Sequence, residues 1–255
     1  TAFNATPIAG ALTSLATVAA RNRYVRPQLT DEAAITRLAK RQVEAGIHFV
    51  SPCGTTGEAP TLSAREKVRV CELVVAAVDG KVPVLAGAGG YDTREVIHAA
   101  KRMQQAGADG ILSVTPYYNK PTPDGLYQHY LAIAEAIPLP IVVYNVPGRT
   151  GCNIDVATVV RLSSIPNIVG VKEASGNMTQ ICEVCRNVPD DFIVLSGDDA
   201  LTLPIMAVGG RGIISVASNE VPAEMSKMVD LAAGGDFAGA RQIHNRLLPL
   251  MQINF

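Results

Sequence analysis

The feature that most constrains this chain is an alternation. Short β-rich runs at residues 12–17, 47–51, 82–86, 110–114, 140–145, 168–172, 192–196 and 212–216 are followed by amphipathic stretches with helical spacing. Runs such as Ile141-Val142-Val143 are continuously apolar, which suits parallel strands covered on both sides. The helical stretches carry their own punctuation. Thr30-Asp31-Glu32 opens the first, Ser63-Ala64-Arg65-Glu66 has capping-box spacing at the second, and Asp92-Thr93-Arg94-Glu95 opens the third. Gly46, Gly107 and Gly209 stand where left-handed cap residues are expected. Eight such alternations in 255 residues predict an α/β fold, a (β/α)8 TIM barrel. A doubly wound open sheet is the alternative reading of the same pattern. Residues 1–221 would form the barrel. Residues 222–255 are helical in pattern, broken at Gly234-Gly235, and would begin a C-terminal helical subdomain.

Charge and composition narrow the class. Lys and Arg number 22 against 23 Asp and Glu, interspersed, so the chain lacks the basic patch of a nucleic-acid binder. No apolar run approaches the ~20 residues of a membrane-spanning helix, and residues 9–20 are interrupted by Thr13, Ser14 and Thr17. The first residues also lack the order of a signal peptide. Five Cys, an odd number, do not suggest a disulfide framework. The expectation is a soluble cytoplasmic protein with free thiols, bound neither to nucleic acid nor to a membrane.

A barrel of this kind places its chemistry at the C-terminal ends of the strands. The sixth run ends Val171-Lys172-Glu173. A lysine buried there is costly unless paired or neutral, and a neutral amine can form a Schiff base with a carbonyl substrate. The alternative is an ion pair with Glu173 or another acid. The fifth run ends Tyr144-Asn145, one βα unit earlier, so a phenol would neighbour that amine and could move protons. Otherwise Tyr144 is a core tyrosine. Arg149, in the next loop, has the fork geometry for a carboxylate. Gly54-Thr55-Thr56-Gly57 can aim backbone N–H groups and two hydroxyls at a small anion. Tyr117-Tyr118, bracketed by prolines, would form an ordered loop at a neighbour's site or at an interface. Cys182 and Cys185 form a lone CxxC pair on a helix face, and the four His are scattered, so no metal site is expected. Asp198-Asp199 looks like a helix N-terminus.

Five motifs then stand together in order: GTTGE at 54–58, TPYYN at 115–119, YNVPGRTG at 144–151, VKEASGN at 171–177 and SGDDAL at 196–201. Together they resemble the dihydrodipicolinate synthase family of pyruvate-dependent class I aldolases, over residues 31–250. The resemblance implies a (β/α)8 barrel and a lyase of lysine and diaminopimelate biosynthesis. Such an enzyme condenses pyruvate with L-aspartate 4-semialdehyde to 4-hydroxy-tetrahydrodipicolinate and needs no cofactor. It implies Lys172 as the Schiff-base lysine and Tyr144 as general acid/base. Thr56 would link Tyr144 to Tyr118, which reaches in from a neighbouring subunit of a dimer or tetramer. Thr55 and Thr56 would hold the pyruvate carboxylate and Arg149 that of the aldehyde. Gly197 and Ile214 would line the pocket. The alternatives are another pyruvate aldolase, such as one acting on 4-hydroxy-2-oxoglutarate, and a non-catalytic oxo-acid-binding barrel. Residues 1–30 depart from the family pattern, with Val18 where a proline is expected. Ala59, Ala64, Lys67 and Tyr91 also replace residues usual in lysine-inhibited members, while Glu95 and Tyr117 are kept. A cation at Lys67 would disfavour a cationic effector, so weak or absent lysine inhibition is expected.

Overall fold

A computed structural model describes the backbone of residues 10–14 and the whole of residues 31–254. The expected strands all form: β1 (Gly10–Ser14), β2 (Phe49–Ser51), β3 (Leu85–Gly87), β4 (Gly110–Val114), β5 (Ile141–Asn145), β6 (Ile168–Glu173), β7 (Ile193–Ser196) and β8 (Gly212–Ser215). They pair in parallel in the order β2-β1-β8-β7-β6-β5-β4-β3. A parallel bridge between Val50 and Val84 joins the two ends of this order. Val50 N–H donates to Pro83 O at 3.0 Å and Gly87 N–H to Pro52 O at 2.9 Å. The sheet therefore closes on itself as a (β/α)8 barrel, which decides against the open doubly wound alternative.

β1 lies slightly earlier than the 12–17 expected from sequence. Its register pairs Thr13 with Ser215 of β8 and Ser14 with Ser51 of β2, so it ends where both neighbours end. Residues 15–17, Val18 and the atypical stretch after it lie outside the described residues. β3 begins later than expected, because Pro83 has no N–H to give to a ladder.

The helices covering the barrel are α1 (Glu32–Glu44), α2 (Ala64–Val78), α3 (Thr93–Gln105), α4 (Pro123–Ala136), the short α5 (Pro147–Thr150), α6 (Val156–Leu162), α7 (Met178–Asn187), α8 (Thr202–Ala207) and α9 (Pro222–Ala233). A further helix, α10 (Phe237–Ile253), follows the break at Gly234-Gly235. The caps are those the sequence signals. Asp31 accepts from Ala34 N–H at 2.9 Å, and Ser63 and Glu66 form a reciprocal capping box. Asp92 accepts from Arg94 N–H at 2.9 Å. Gly46, Gly107 and Gly209 take φ of +82°, +91° and +117°, the left-handed region open to glycine.

Apolar burial is layered. Phe49, Leu85, Leu112, Val142, Ile193, Leu195 and Ile214 fill the barrel interior. A larger cluster, including Ile35, Val74, Ile111 and Tyr130, joins the outer faces of the strands to the helices. α9 packs on β1 and β8, and Met225, Met228 and Val229 join it to Ile243, Leu247 and Met251 of α10. Among the described residues no helix is long and apolar enough to cross a membrane. All five cysteines are free thiols, as expected, and Cys53, Cys71 and Cys152 are buried.

Candidate active site

Lys172 and Tyr144 are register partners across β6 and β5. Both side chains are buried, and Lys172 Nζ sits 4.1 Å from the centroid of the Tyr144 ring. Tyr144 belongs to the interior cluster with Ile214, so the pair sits at the C-terminal mouth of the barrel. Among the described residues Lys172 makes no ion pair. Glu173, the partner weighed for it, is fully buried on the opposite face of β6, as strand alternation dictates. Its carboxylate accepts from Asn145 Nδ2 at 3.0 and 3.3 Å and from Ser175 N–H at 2.7 Å. Asn145 in turn accepts from Ile154 N–H at 3.0 Å, tying the loop after β5 to the same network. With its oxygens taken up by neutral donors, Glu173 leaves the lysine unpaired by it.

Gly197 is buried against the lysine stem. A Cβ added there would lie 2.9 Å from Lys172 Cε and 2.7 Å from Ala174 Cβ. The Gly197 N–H donates to Glu173 O at 2.7 Å, which fixes this close approach. Ile214, on β8, is fully buried within the interior cluster.

After β2, Cys53 takes φ +59° and starts a tight turn in which Gly57 N–H donates to Gly54 O and Glu58 N–H to Thr55 O. Thr55 is exposed and lines a cavity of about 130 Å³ together with Gly54, Tyr117 and Tyr144. Thr56 is half-buried, and among the described residues its hydroxyl makes no direct hydrogen bond to Tyr144 or Tyr118. Burial pushes the Cys53 thiol, which also lines this cavity, up to about 12. Tyr118 is 92% exposed with φ +69° and does not line the cavity. Its neighbour Tyr117 does, and packs edge-on against Tyr91 at 5.2 Å. Arg149 lies exposed on α5, in the turn that follows β5.

Lys67, on α2, lines both the small cavity and an adjoining cleft of about 370 Å³, which is also lined by Ala64, Tyr91, Glu95 and Tyr117, the residues named with it from sequence. One residue, Asp199, was not singled out from sequence as part of this region. Asp198 caps the turn after β7, as expected, accepting from Ala200 N–H at 2.9 Å. Asp199 instead turns inward, 1% exposed, and accepts from Ser215 Oγ and from the N–H groups of Val216 and Ala217 at 3.0 and 3.1 Å. Burial pushes its carboxyl above the usual range. The three donors and the Lys172 ammonium oppose that rise. A second acid after an apolar strand carried no sequence signal separating it from an ordinary cap.

The profile of the Dihydrodipicolinate synthetase family matches residues 14–255. The chain belongs to this family. It is 54% identical over 226 residues to a 4-hydroxy-tetrahydrodipicolinate synthase of Koribacter versatilis (strain Ellin345), spanning 88% of this chain and 75% of that one. A Chlorobium chlorochromatii (strain CaD3) protein of the same name is 50% identical over 226 residues, 88% of this chain and 76% of its own. The fold agrees as closely. The dihydrodipicolinate synthase from Aquifex aeolicus superposes with a TM-score of 0.91 at 41% identity, covering 96% of this chain and 82% of that one. That of Thermotoga maritima gives 0.92 at 38% identity, covering 96% and 83%.

Proposed function

We propose that this chain condenses pyruvate with L-aspartate 4-semialdehyde to 4-hydroxy-tetrahydrodipicolinate, the family's lyase reaction, with Lys172 as its Schiff-base residue. The observation that carries the site reading is a buried lysine amine, without an ion pair among the described residues, 4.1 Å above a buried tyrosine ring at the barrel mouth. The Lys172 amine adds to C2 of pyruvate and water leaves, giving an iminium. The iminium draws electrons from the adjacent methyl group, so Tyr144 can take a methyl proton and leave an enamine. The enamine carbon attacks the aldehyde carbon, whose oxygen takes a proton. The amino group of the second substrate then adds to C2, expels Lys172 and closes the ring.

The remaining assignments belong to the same proposal. Thr55 and Thr56 hold the pyruvate carboxylate, with the N–H groups of their turn as further donors. Arg149 holds the carboxylate of the aldehyde, a role its exposed position beside the mouth suits. Gly197 and Ile214 shape the pocket around the lysine stem. Tyr118, exposed on its own subunit, completes the site of a neighbouring copy and passes protons to Tyr144 through Thr56. This requires a homodimer or tetramer. We also propose the domain division at residues 221/222, with α9 joining the barrel to the helical part, and a cytoplasmic location.

Incubation with pyruvate, reduction by borohydride and peptide mass spectrometry test the central assignment. A pyruvyl adduct on Lys172 is expected. No adduct in the folded protein overturns it. Comparing L-aspartate 4-semialdehyde with other aldehydes then tests the acceptor.

A further inference from the structure

β5 and β6 carry the reactive pair, yet little in their apolar residues fixes how the two strands align. Ile141-Val142-Val143 and Ile168-Val169 are continuously apolar, and Gly170 has no side chain to favour either face. The ladder also shifts. Ile141 pairs with Ile168, but Val142 pairs with Gly170, so Val169 is an extra residue on β6. Beyond the shift, Tyr144 pairs with Lys172 and Asn145 with Glu173. A slip of one residue would turn Lys172 out of the barrel and bring Glu173 in, because strand side chains alternate. Asn145 and Glu173 are both fully buried. Asn145 Nδ2 donates to Glu173 Oε2 at 3.0 Å and Oε1 at 3.3 Å, and to Asn153 Oδ1 at 2.9 Å. Its Oδ1 accepts from Ile154 N–H at 3.0 Å. With Oδ1 taken, the amide offers β6 only donors, which a carboxylate can accept and an ammonium cannot. Two backbone groups tighten the same junction: Ala174 N–H donates to Asn145 O at 2.8 Å, and Ser175 N–H to Glu173 Oε1 at 2.7 Å.

We propose that Asn145 and Glu173 are positioning residues: their buried hydrogen bonds select the β5–β6 register beyond the extra residue, and so set the Lys172 amine over the Tyr144 ring. The inference rests on the reading of Lys172 as the Schiff-base lysine and Tyr144 as its proton partner. Each positioning residue is the chain neighbour of a reacting one, so a displacement of the outer pair is carried to the inner pair. Both point away from the barrel interior, so neither touches substrate. Replacing a buried polar pair by apolar packing often stabilises a protein, so alignment rather than stability is what this pair supplies.

The test measures the rate of borohydride trapping of pyruvate per folded protein across pyruvate concentrations, with thermal melting alongside. In Glu173→Gln, Ser175 N–H holds the new amide oxygen, so the amide nitrogen meets Asn145 Nδ2, donor against donor. Asn145→Asp sets a second carboxylate against the first. The double variant Asn145→Asp/Glu173→Gln restores one donor and one acceptor, reversed between the strands. Ile154 N–H and Ser175 N–H keep their acceptors there, and the exposed Asn153 amide can turn. In the wild type, an adduct on Lys172 is required for the underlying assignment, and its absence would overturn that assignment before this one is reached. Given the adduct, each single variant is expected to trap about 10²-fold more slowly at saturating pyruvate, as a misplacement of about 1 Å at the reacting nitrogen would cause. The half-saturating pyruvate concentration should stay as in the wild type, because Thr55 and Thr56 lie on another loop. The double variant is expected to recover most of the rate. A merely structural pair would lower the melting temperature and leave trapping by the folded protein unchanged. That result overturns the proposal, as does a change confined to the half-saturating concentration or a double variant no faster than the singles. If neither single variant folds, the double variant decides. Trapping near the wild-type rate supports the proposal, and slow trapping or failure to fold overturns it.

Discussion

Gly197→Ala adds a single methyl group where the chain crosses the Lys172 stem. That methyl would stand 2.7 Å from Ala174 Cβ, 2.9 Å from Lys172 Cε and 3.2 Å from Lys172 Cγ. Methyl carbons pack comfortably near 3.5–4.0 Å, so a gap of roughly 1 Å must open. Backbone retreat is opposed by the 2.7 Å hydrogen bond from Gly197 N–H to Glu173 O, in a strand end paired on both sides. The flexible lysine stem yields first. It carries Nζ off its place above the Tyr144 ring, and the remaining clash with Ala174 strains the β6–β7 junction. Overpacking of this kind costs ~1–3 kcal/mol of stability. A displacement of about 1 Å at a reacting nitrogen lowers turnover by about 10²-fold. The assays are borohydride trapping of pyruvate, steady-state turnover and chemical denaturation. A variant that traps and turns over at the wild-type rate, with unchanged stability, would refute the claim that Gly197 is there to make room for the lysine.

Tyr144→Phe keeps the ring beneath Lys172 and removes only the hydroxyl, so pyruvate should still be trapped on Lys172 while kcat falls by roughly 10²–10⁴-fold. Equal losses in trapping and turnover would argue against a proton-transfer role. His129 is buried on α4, with Nδ1 2.8 Å from Thr93 Oγ1, and burial pushes its pKa down to about 4. The unfolded chain, with a value near 6.5, takes up the proton first, so stability is lost as pH falls from about 6.5 towards 4. The loss should be about 2 kcal/mol by pH 5, measured by denaturant titration, and His129→Gln should flatten that dependence. Lysine should inhibit weakly or not at all, because the Lys67 ammonium lines the cleft of about 370 Å³ beside the active site. Strong inhibition at low millimolar lysine would reverse that expectation.

The barrel was legible because its signals are local and repeated. Strand runs, capping residues and left-handed glycines each act over a few residues, and they agreed at every turn from Asp31 onward. Where the strands stop was legible to within a residue from β2 to β8. Two starts were less so: β2 begins at Phe49 rather than 47, and β3 at Leu85 rather than 82, after Pro83, which has no N–H to give to a ladder.

The site divides the same way. Lys172 and Tyr144 could be placed together from sequence, since strand ends one βα unit apart must be neighbours at the mouth. Whether the lysine was paired turned on alternation. The sequence left an ion pair with Glu173 open; in the structure the two adjacent residues face opposite sides of β6, and Glu173 is held by Asn145 and Ser175 instead. Asp199 is harder. Nothing local distinguishes it from Asp198, which caps the turn as a surface acid does. The two part only because the end of β8 presents a hydroxyl and two N–H groups to one of them. A buried carboxylate needs such donors to remain an anion, and those donors are brought together only when the barrel closes. The inward turn of Asp199 is therefore a product of the closed fold, legible only once β8 lies beside β7.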